Sequence, residues 1–151
     1  MSAVEIQNRK ASHHFHILST LEAGVELKGT EVKSLRGGHG NFQDAFARIE
    51  KGQAWLYHFD IAPYAQGNRE NHEPKRVRRL LLHTAEIRKL HGEISVAGRS
   101  LIPLKGYFNK RGCFKILLGV GVGKTHRDKR QDLIKRDTER HLRRVMSTRR
   151  R

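Results

Sequence analysis

Gly119-Val-Gly-Val-Gly-Lys-Thr125 holds the residue types of a phosphate-cradling loop, whose backbone N–H groups and lysine would grip a nucleotide. The spacing is one residue short. Such a loop needs a glycine at position 118, where this chain has Leu118. The loop must also open a packed helix, and the following His126-Arg-Asp-Lys-Arg offers no apolar face. Ten histidines invite metal or acid–base chemistry. His13, His14 and His16 cluster, but no Cys or carboxylate pair completes a zinc spacing. Along a strand, His14 and His16 would share one face and His13 would take the other. No carboxylates are arranged to orient a histidine base or hold Mg²⁺, which leaves a histidine-dependent nuclease as a minor alternative. Cys113 is the only cysteine. A lone thiol excludes an internal disulfide, fits a reducing cytoplasm, and in a strand-like context is expected to be a small buried hydrophobe. No metal, cofactor or catalytic residue is expected.

The strongest chemical signal is charge. Residues 123–151 carry twelve Lys/Arg against four Asp/Glu, half of the net charge of +16, and the other half belongs to residues 1–122. Both parts are therefore built to meet a polyanion. A membrane would attract the same charge, but no apolar run is long enough to span one, no signal-peptide core follows Met1, and the tail has no Trp or Phe anchor. Nucleic acid is the better partner. In the tail, Leu133, Ile134, Leu142, Val145 and Met146 recur at near-helical spacing. So thin an apolar stripe does not offset the entropy of ordering, so residues 123–151 are expected to be disordered when free and to fold as an amphipathic helix on RNA. Residues 1–122 form the compact domain.

The elements that must position these groups are mostly strands. Phe15-His-Ile-Leu18 and Ala23-Gly-Val-Glu-Leu27 read as extended segments, and Thr30 to Arg36 as a short helix capped by Thr30 and ended by Gly37-Gly38. Ala45–Ile49 and Ala54–Tyr57 flank Lys51-Gly52, a hairpin turn, and Phe59-Asp-Ile61 extends the second strand. Residues 65–79 read as a surface loop with five cations, Arg69, Lys75, Arg76, Arg78 and Arg79. Ile87, Leu90 and Ile94 make one helical stripe between His83 and Ala97, with Thr84 as cap and Gly98 as stop. Ser100–Leu104, Tyr107-Phe108 and Phe114–Val120 are further strands, and alternation exposes at least one of Leu80, Leu81 and Leu82. This pattern, mainly β with two helices and no βαβ rhythm, predicts a small antiparallel OB-like barrel with flanking helices and a basic C-terminal tail.

Several motifs in order then carry a family likeness: Asn8-Arg-Lys-Ala, Glu22-Ala-Gly, Gly29-Thr-Glu-Val-Lys-Ser-Leu-Arg36, Arg78-Arg-Leu-Leu-Leu-His83, Leu101-Ile-Pro-Leu104 before Tyr107-Phe108, Gly123-Lys124 and Asp128-Lys-Arg130. From about Asn8 to the C-terminus the chain resembles the SsrA-binding protein family (small protein B), partner of transfer-messenger RNA. The resemblance implies a non-enzymatic cytoplasmic adaptor. Its barrel would bind the tRNA-like end of transfer-messenger RNA, and the pair would enter stalled bacterial ribosomes as a tRNA mimic for trans-translation. The tail would lie in the decoding region and messenger channel of the small subunit, against its rRNA. Elongation factor Tu and alanyl-tRNA synthetase would be met through the RNA, and a monomer is expected. The alternative is a general OB-fold ribosomal or RNA-binding protein with a basic extension.

Carried over by motif, the RNA-binding residues would be Glu22, Leu81 and Lys115, with Asn8 and Lys10 beside them. Lys115 would meet phosphate, Leu81 an unstacked base, and Glu22 would set specificity. From the residue alone, Glu22 could equally form an ordinary surface ion pair. In the tail, Lys124, His126, Arg127, Asp128, Lys129 and Arg130 match the segment expected near the decoding centre. Thr125 stands where the family commonly has a second Lys. Arg127 stands where it has an aromatic or His, so either His126 or Arg127 takes the stacking place. Phe15 replaces a common Tyr, and Gly119-Val-Gly121 suggests a flexible last strand.

Overall fold

A computed structural model describes residues 4–67 and 71–149 of the chain. Arg69 of the basic loop, and the side chains of His126, Asp128 and Arg149, lie outside the described residues. In chain order the elements are β1 (Glu5–Gln7), α1 (Ala11–His14), β2 (Phe15–Val25), α2 (Gly29–Arg36), β3 (Gly40–Asn41), β4 (Phe46–Glu50), β5 (Gln53–Tyr57), β6 (Asp60–Ile61), β7 (Arg78–Leu81), α3 (Thr84–Ile94), β8 (Arg99–Phe108), β9 (Phe114–Gly123) and α4 (His126–Arg149).

Seven strands pair antiparallel in the order β1-β8-β4-β5-β7-β2-β9, and β9 pairs back onto β8, so the ladder closes into the expected barrel. The closure is uneven. β8 pairs with β9 from Arg99 to Phe108, but with β4 only through Ala47 opposite Leu101, while β1 takes over the C-terminal half of β8. Inside, Leu35, Phe42, Ala54, Leu56, Phe59, Ile61, Leu80, Ile116 and Leu118 form the core, with Phe42 and Phe59 stacked at 4.2 Å between ring centres.

The Lys51-Gly52 turn forms as expected. Glu50 faces Gln53, and φ values of 50° and 75° give the doubly left-handed turn whose twist matches the flanking strands. Other expectations need correction. The two segments read between Phe15 and Leu27 belong to one eleven-residue strand, β2, that bulges at Leu18. His13 and His14 lie in α1, so only His16 is on the strand and the expected pairing of His14 with His16 on one strand face does not arise. Phe59–Ile61 does not extend β5. His58 turns left-handed (φ 59°), sends Phe59 into the core, and lets Asp60–Ile61 pair with β3 instead.

Thr30 does not cap α2. Lys28 occupies the cap position, and its N–H donates to the Glu31 carboxylate at 2.8 Å, while the Thr30 hydroxyl bonds the buried His72 ring. Likewise His83, not Thr84, caps α3, with its N–H donating to Glu86 at 3.0 Å. The 65–79 loop is less of a charged surface than its composition suggests. Arg78 opens β7 and is fully buried, Arg76 is partly buried, and both pair with the fully buried Glu31. Cys113 is exposed, in the β8–β9 turn that Asn109 organises by accepting from the N–H groups of Arg111 and Cys113.

Gly119 and Gly121 do not serve flexibility. A Cβ on Gly119 would lie 2.9 Å from Leu104, and one on Gly121 3.0 Å from Phe15. They let neighbouring strands cover β9 closely, and being in a paired strand they form no phosphate loop.

Candidate nucleic-acid interface

On the outer face of β2, alternation brings Glu22 and Gly24 up together. Gly24 faces Leu81 of β7 on one side and Lys115 of β9 on the other. The register therefore gathers residues from three distant parts of the chain. A Cβ placed on Gly24 would lie 3.2 Å from Leu81 Cβ and 3.6 Å from Lys115 Nζ, so glycine is what allows the two side chains to converge. Leu81 is 51% exposed although Leu80 beside it is 1% exposed and in the core. A half-naked leucine flanked by a carboxylate and an ammonium group can press on the face of an unstacked base, while the charges take its edge and its phosphate.

A fourth residue completes this centre. Tyr107 on β8 faces Lys115 in the β8–β9 ladder, and its hydroxyl donates across β9 to Glu22 Oε2. The hydrogen bond to the Glu22 carboxylate, assisted by partial desolvation, pushes the phenol up to about 12. The phenol donates to the carboxylate and holds it in place. Tyr107 was only a motif letter in the sequence. The hairpin register, counted outward from the Asn109–Cys113 turn, is the signal that assigns it to Lys115.

Asn8 and Lys10 lie apart from this centre. The Asn8 side-chain amide donates to the Pro103 carbonyl at 2.9 Å and its N–H to Leu104 at 2.8 Å, so the segment after β1 is anchored rather than frayed. Lys10 is exposed at the start of α1.

Among the described residues, the expected tail side chains do not form one surface. Lys124 is inward. Its N–H donates to the His14 carbonyl, its ammonium group donates to the Ser12 carbonyl at 2.6 Å and pairs with Asp132, and its side chain is 6% exposed. The hydrogen bond from Lys124 outweighs desolvation and holds the Asp132 carboxyl below its usual range. Lys124 thus pins the first turns of α4 to α1. Arg127 and Arg130 are exposed and Lys129 half-buried. Beyond this root the 24-residue helix extends about 36 Å in all, with Ile134 and Met146 66% and 65% exposed. Its apolar stripe is as expected, and Leu133, Ile134, Leu142, Val145 and Met146 all remain exposed along it.

Among the described residues no three His, Cys, Asp or Glu side chains converge as metal ligands, and no helix is long and apolar enough to cross a membrane. Barrel, centre and arm together define a small antiparallel β-barrel protein with a cationic helical extension and a mixed carboxylate, ammonium and apolar surface of nucleic-acid-binding type. The family model for SmpB protein matches residues 5–148, and the chain belongs to that family. An SsrA-binding protein of Desulforamulus reducens is 54% identical over 142 residues, 94% of this chain and 88% of the relative. The SsrA-binding protein of Bacillus subtilis is 49% identical over 139 residues, 92% of this chain and 88% of its own. A solved structure described as "tmRNA-SmpB: a journey to the center of the bacterial ribosome" contains a chain that superposes with a TM-score of 0.71 at 47% identity, over 87% of this chain and 95% of that one.

Proposed function

We propose that this protein is a non-enzymatic, cytoplasmic RNA-binding adaptor that binds transfer-messenger RNA (SsrA RNA) through its barrel and delivers it to stalled bacterial ribosomes for trans-translation. The names of its relatives support the RNA partner and the ribosome. The convergence of Glu22, Leu81 and Lys115 around Gly24 is the observation that carries the reading, because only folding brings these residues together. In this function Lys115 neutralises a phosphate, Leu81 covers an extruded base, and Glu22 accepts hydrogen bonds from a base edge. α4 leaves the barrel to occupy the decoding region and messenger channel, where rRNA satisfies its cations, and free in solution it exchanges between helix and coil. The protein acts as a monomer, and meets elongation factor Tu and alanyl-tRNA synthetase through the RNA.

A gel-shift of the full chain against transfer-messenger RNA at near-physiological salt, with an unrelated tRNA as competitor, tests this reading. Selective binding is expected. Equal displacement by the tRNA would make the protein a general basic RNA binder and overturn the rescue function. In the same assay Tyr107→Phe is expected to weaken binding about tenfold, near the lower bound of the worth of one charge-assisted hydrogen bond. The salt dependence should not change, because no cation is lost. A changed salt slope with unchanged affinity at low salt would remove Tyr107 from the centre.

A further inference from the structure

The uneven closure of the barrel leaves a cleft. Because β4 and β8 share only the Ala47–Leu101 pair, the strands splay above and below it, and a cavity of about 360 Å³ opens between them. Its apolar lining includes Phe46, Ile49, Ile94 and Leu101, and its two cations are Arg48 and Arg99. The Arg48 guanidinium lies 5.2 Å from the centre of the Phe46 ring and 5.8 Å from that of Tyr57, and these two rings are themselves stacked at 5.2 Å. Arg99 donates to the Glu93 carbonyl at the end of α3. Among the described residues neither arginine is ion-paired, and no carboxylate lines the cleft.

We infer that this cleft is a second RNA site, which takes one unpaired nucleotide, with its base against Phe46 and Ile94 and its phosphate between Arg48 and Arg99. The size is right for one nucleotide rather than a helix, since small-ligand pockets begin at about 300 Å³. The chemistry is that of single-strand binders, where an aromatic or guanidinium plane stacks on a base and neighbouring cations follow the backbone. A bare phosphate would have no use for the apolar wall, and an apolar ligand none for two guanidinium groups that no carboxylate neutralises.

Its place in the barrel selects the RNA. Arg99 faces Val122, one residue before β9 ends and two before Lys124 roots the tail, whereas Tyr107 of the first centre is eight residues further along β8. At about 3.3 Å per residue the two sites are some 26 Å apart. The cleft therefore opens at the tail end of the barrel, and the nucleotide belongs to the RNA that meets the tail, ribosomal RNA. This last choice rests on the function proposed above, while the nucleotide chemistry does not.

Trp55, the only tryptophan, faces Arg48 across the β4–β5 ladder and reports on the cleft. The full chain is titrated by Trp fluorescence with pentaadenylate and with an abasic pentamer of equal charge. Pentaadenylate is expected to quench and to bind at least tenfold tighter than the abasic strand. Arg48→Ala and Phe46→Leu should each erase that difference while leaving the thermal midpoint within a few degrees, as these side chains are outside the core. Equal binding of the two strands, or retention of the difference in both variants, overturns the site. In the gel-shift above, both variants should keep wild-type affinity for transfer-messenger RNA. A matching loss there would reassign the nucleotide to that RNA and overturn the ribosomal choice, and failure of the wild-type gel-shift itself would strike the proposed function alone.

Discussion

Replacing Glu31 by alanine should cost the barrel about 3–5 kcal/mol, a large fraction of the stability of a typical domain. Glu31 and Arg78 are both fully buried, in α2 and at the start of β7. Arg78 spends its other N–H groups on the carbonyls of Phe59, Pro74 and Arg76, so it is fixed where it stands. Arg76 adds a second guanidinium at 2.6 Å from Glu31. Removing the carboxylate leaves one guanidinium stranded in the core, and the cost is that of an uncompensated buried charge rather than the net worth of the pair.

The same network sets an acid limit. Burial alone would raise the Glu31 carboxyl, but the Arg76 guanidinium, the Lys28 N–H and Arg78 together hold it below its ordinary value of 4.5. The folded state therefore binds this proton less readily than the unfolded chain. Its stabilisation is complete above pH 4.5 and disappears as pH falls through the lower folded value. Urea midpoints at neutral pH and near pH 3 measure both effects. Glu31→Ala should lower the neutral midpoint strongly, and Glu31→Gln should flatten the acid fall. A neutral-pH change within about 0.5 kcal/mol, as at an ordinary surface site, would show that Arg78 is hydrated and the network immaterial.

The second large effect is a separation of two activities. Lys129→Ala with Arg130→Ala should leave affinity for transfer-messenger RNA within about twofold and abolish rescue, while Lys115→Ala should weaken that affinity and reduce the salt slope by about 1. The reason is distance along one strand. Lys115 lies near the start of β9 and the tail begins beyond its end at Gly123, eight residues or about 26 Å away. No single RNA phosphate can be shared between them. Filter binding over a salt series gives the affinities, and peptide tagging on a message without a stop codon gives rescue. If the tail variant lost affinity as badly as Lys115→Ala, the barrel and tail would act as one surface and the division would be wrong.

Features that repeat locally were legible without coordinates. The Lys51-Gly52 hairpin follows from two residues that tolerate positive φ, the α3 stripe from 3.6-residue spacing, and the exposed member of Leu80-Leu-Leu82 from alternation. Errors gathered where a residue's partner is remote. Arg78 looked like a surface cation because nothing nearby announces Glu31, forty-seven positions earlier, and Thr30 looked like a cap because its His72 partner lies beyond the hairpin. Gly119 and Gly121 looked flexible because the Leu104 and Phe15 side chains that cover them belong to other strands.

By itself the sequence determined the class of element at most positions, the antiparallel barrel, the cationic stripe of the tail and, through its motifs, the family. These depend on short-range spacing and summed charge, which the linear order contains. Only the tertiary structure decided that Tyr107 holds Glu22, that Lys124 points inward to root the tail, that Arg78 belongs to the core, and that a cleft opens beside Arg48. Each is set by strand register and closure, where a shift of one residue would turn every side chain to the opposite face.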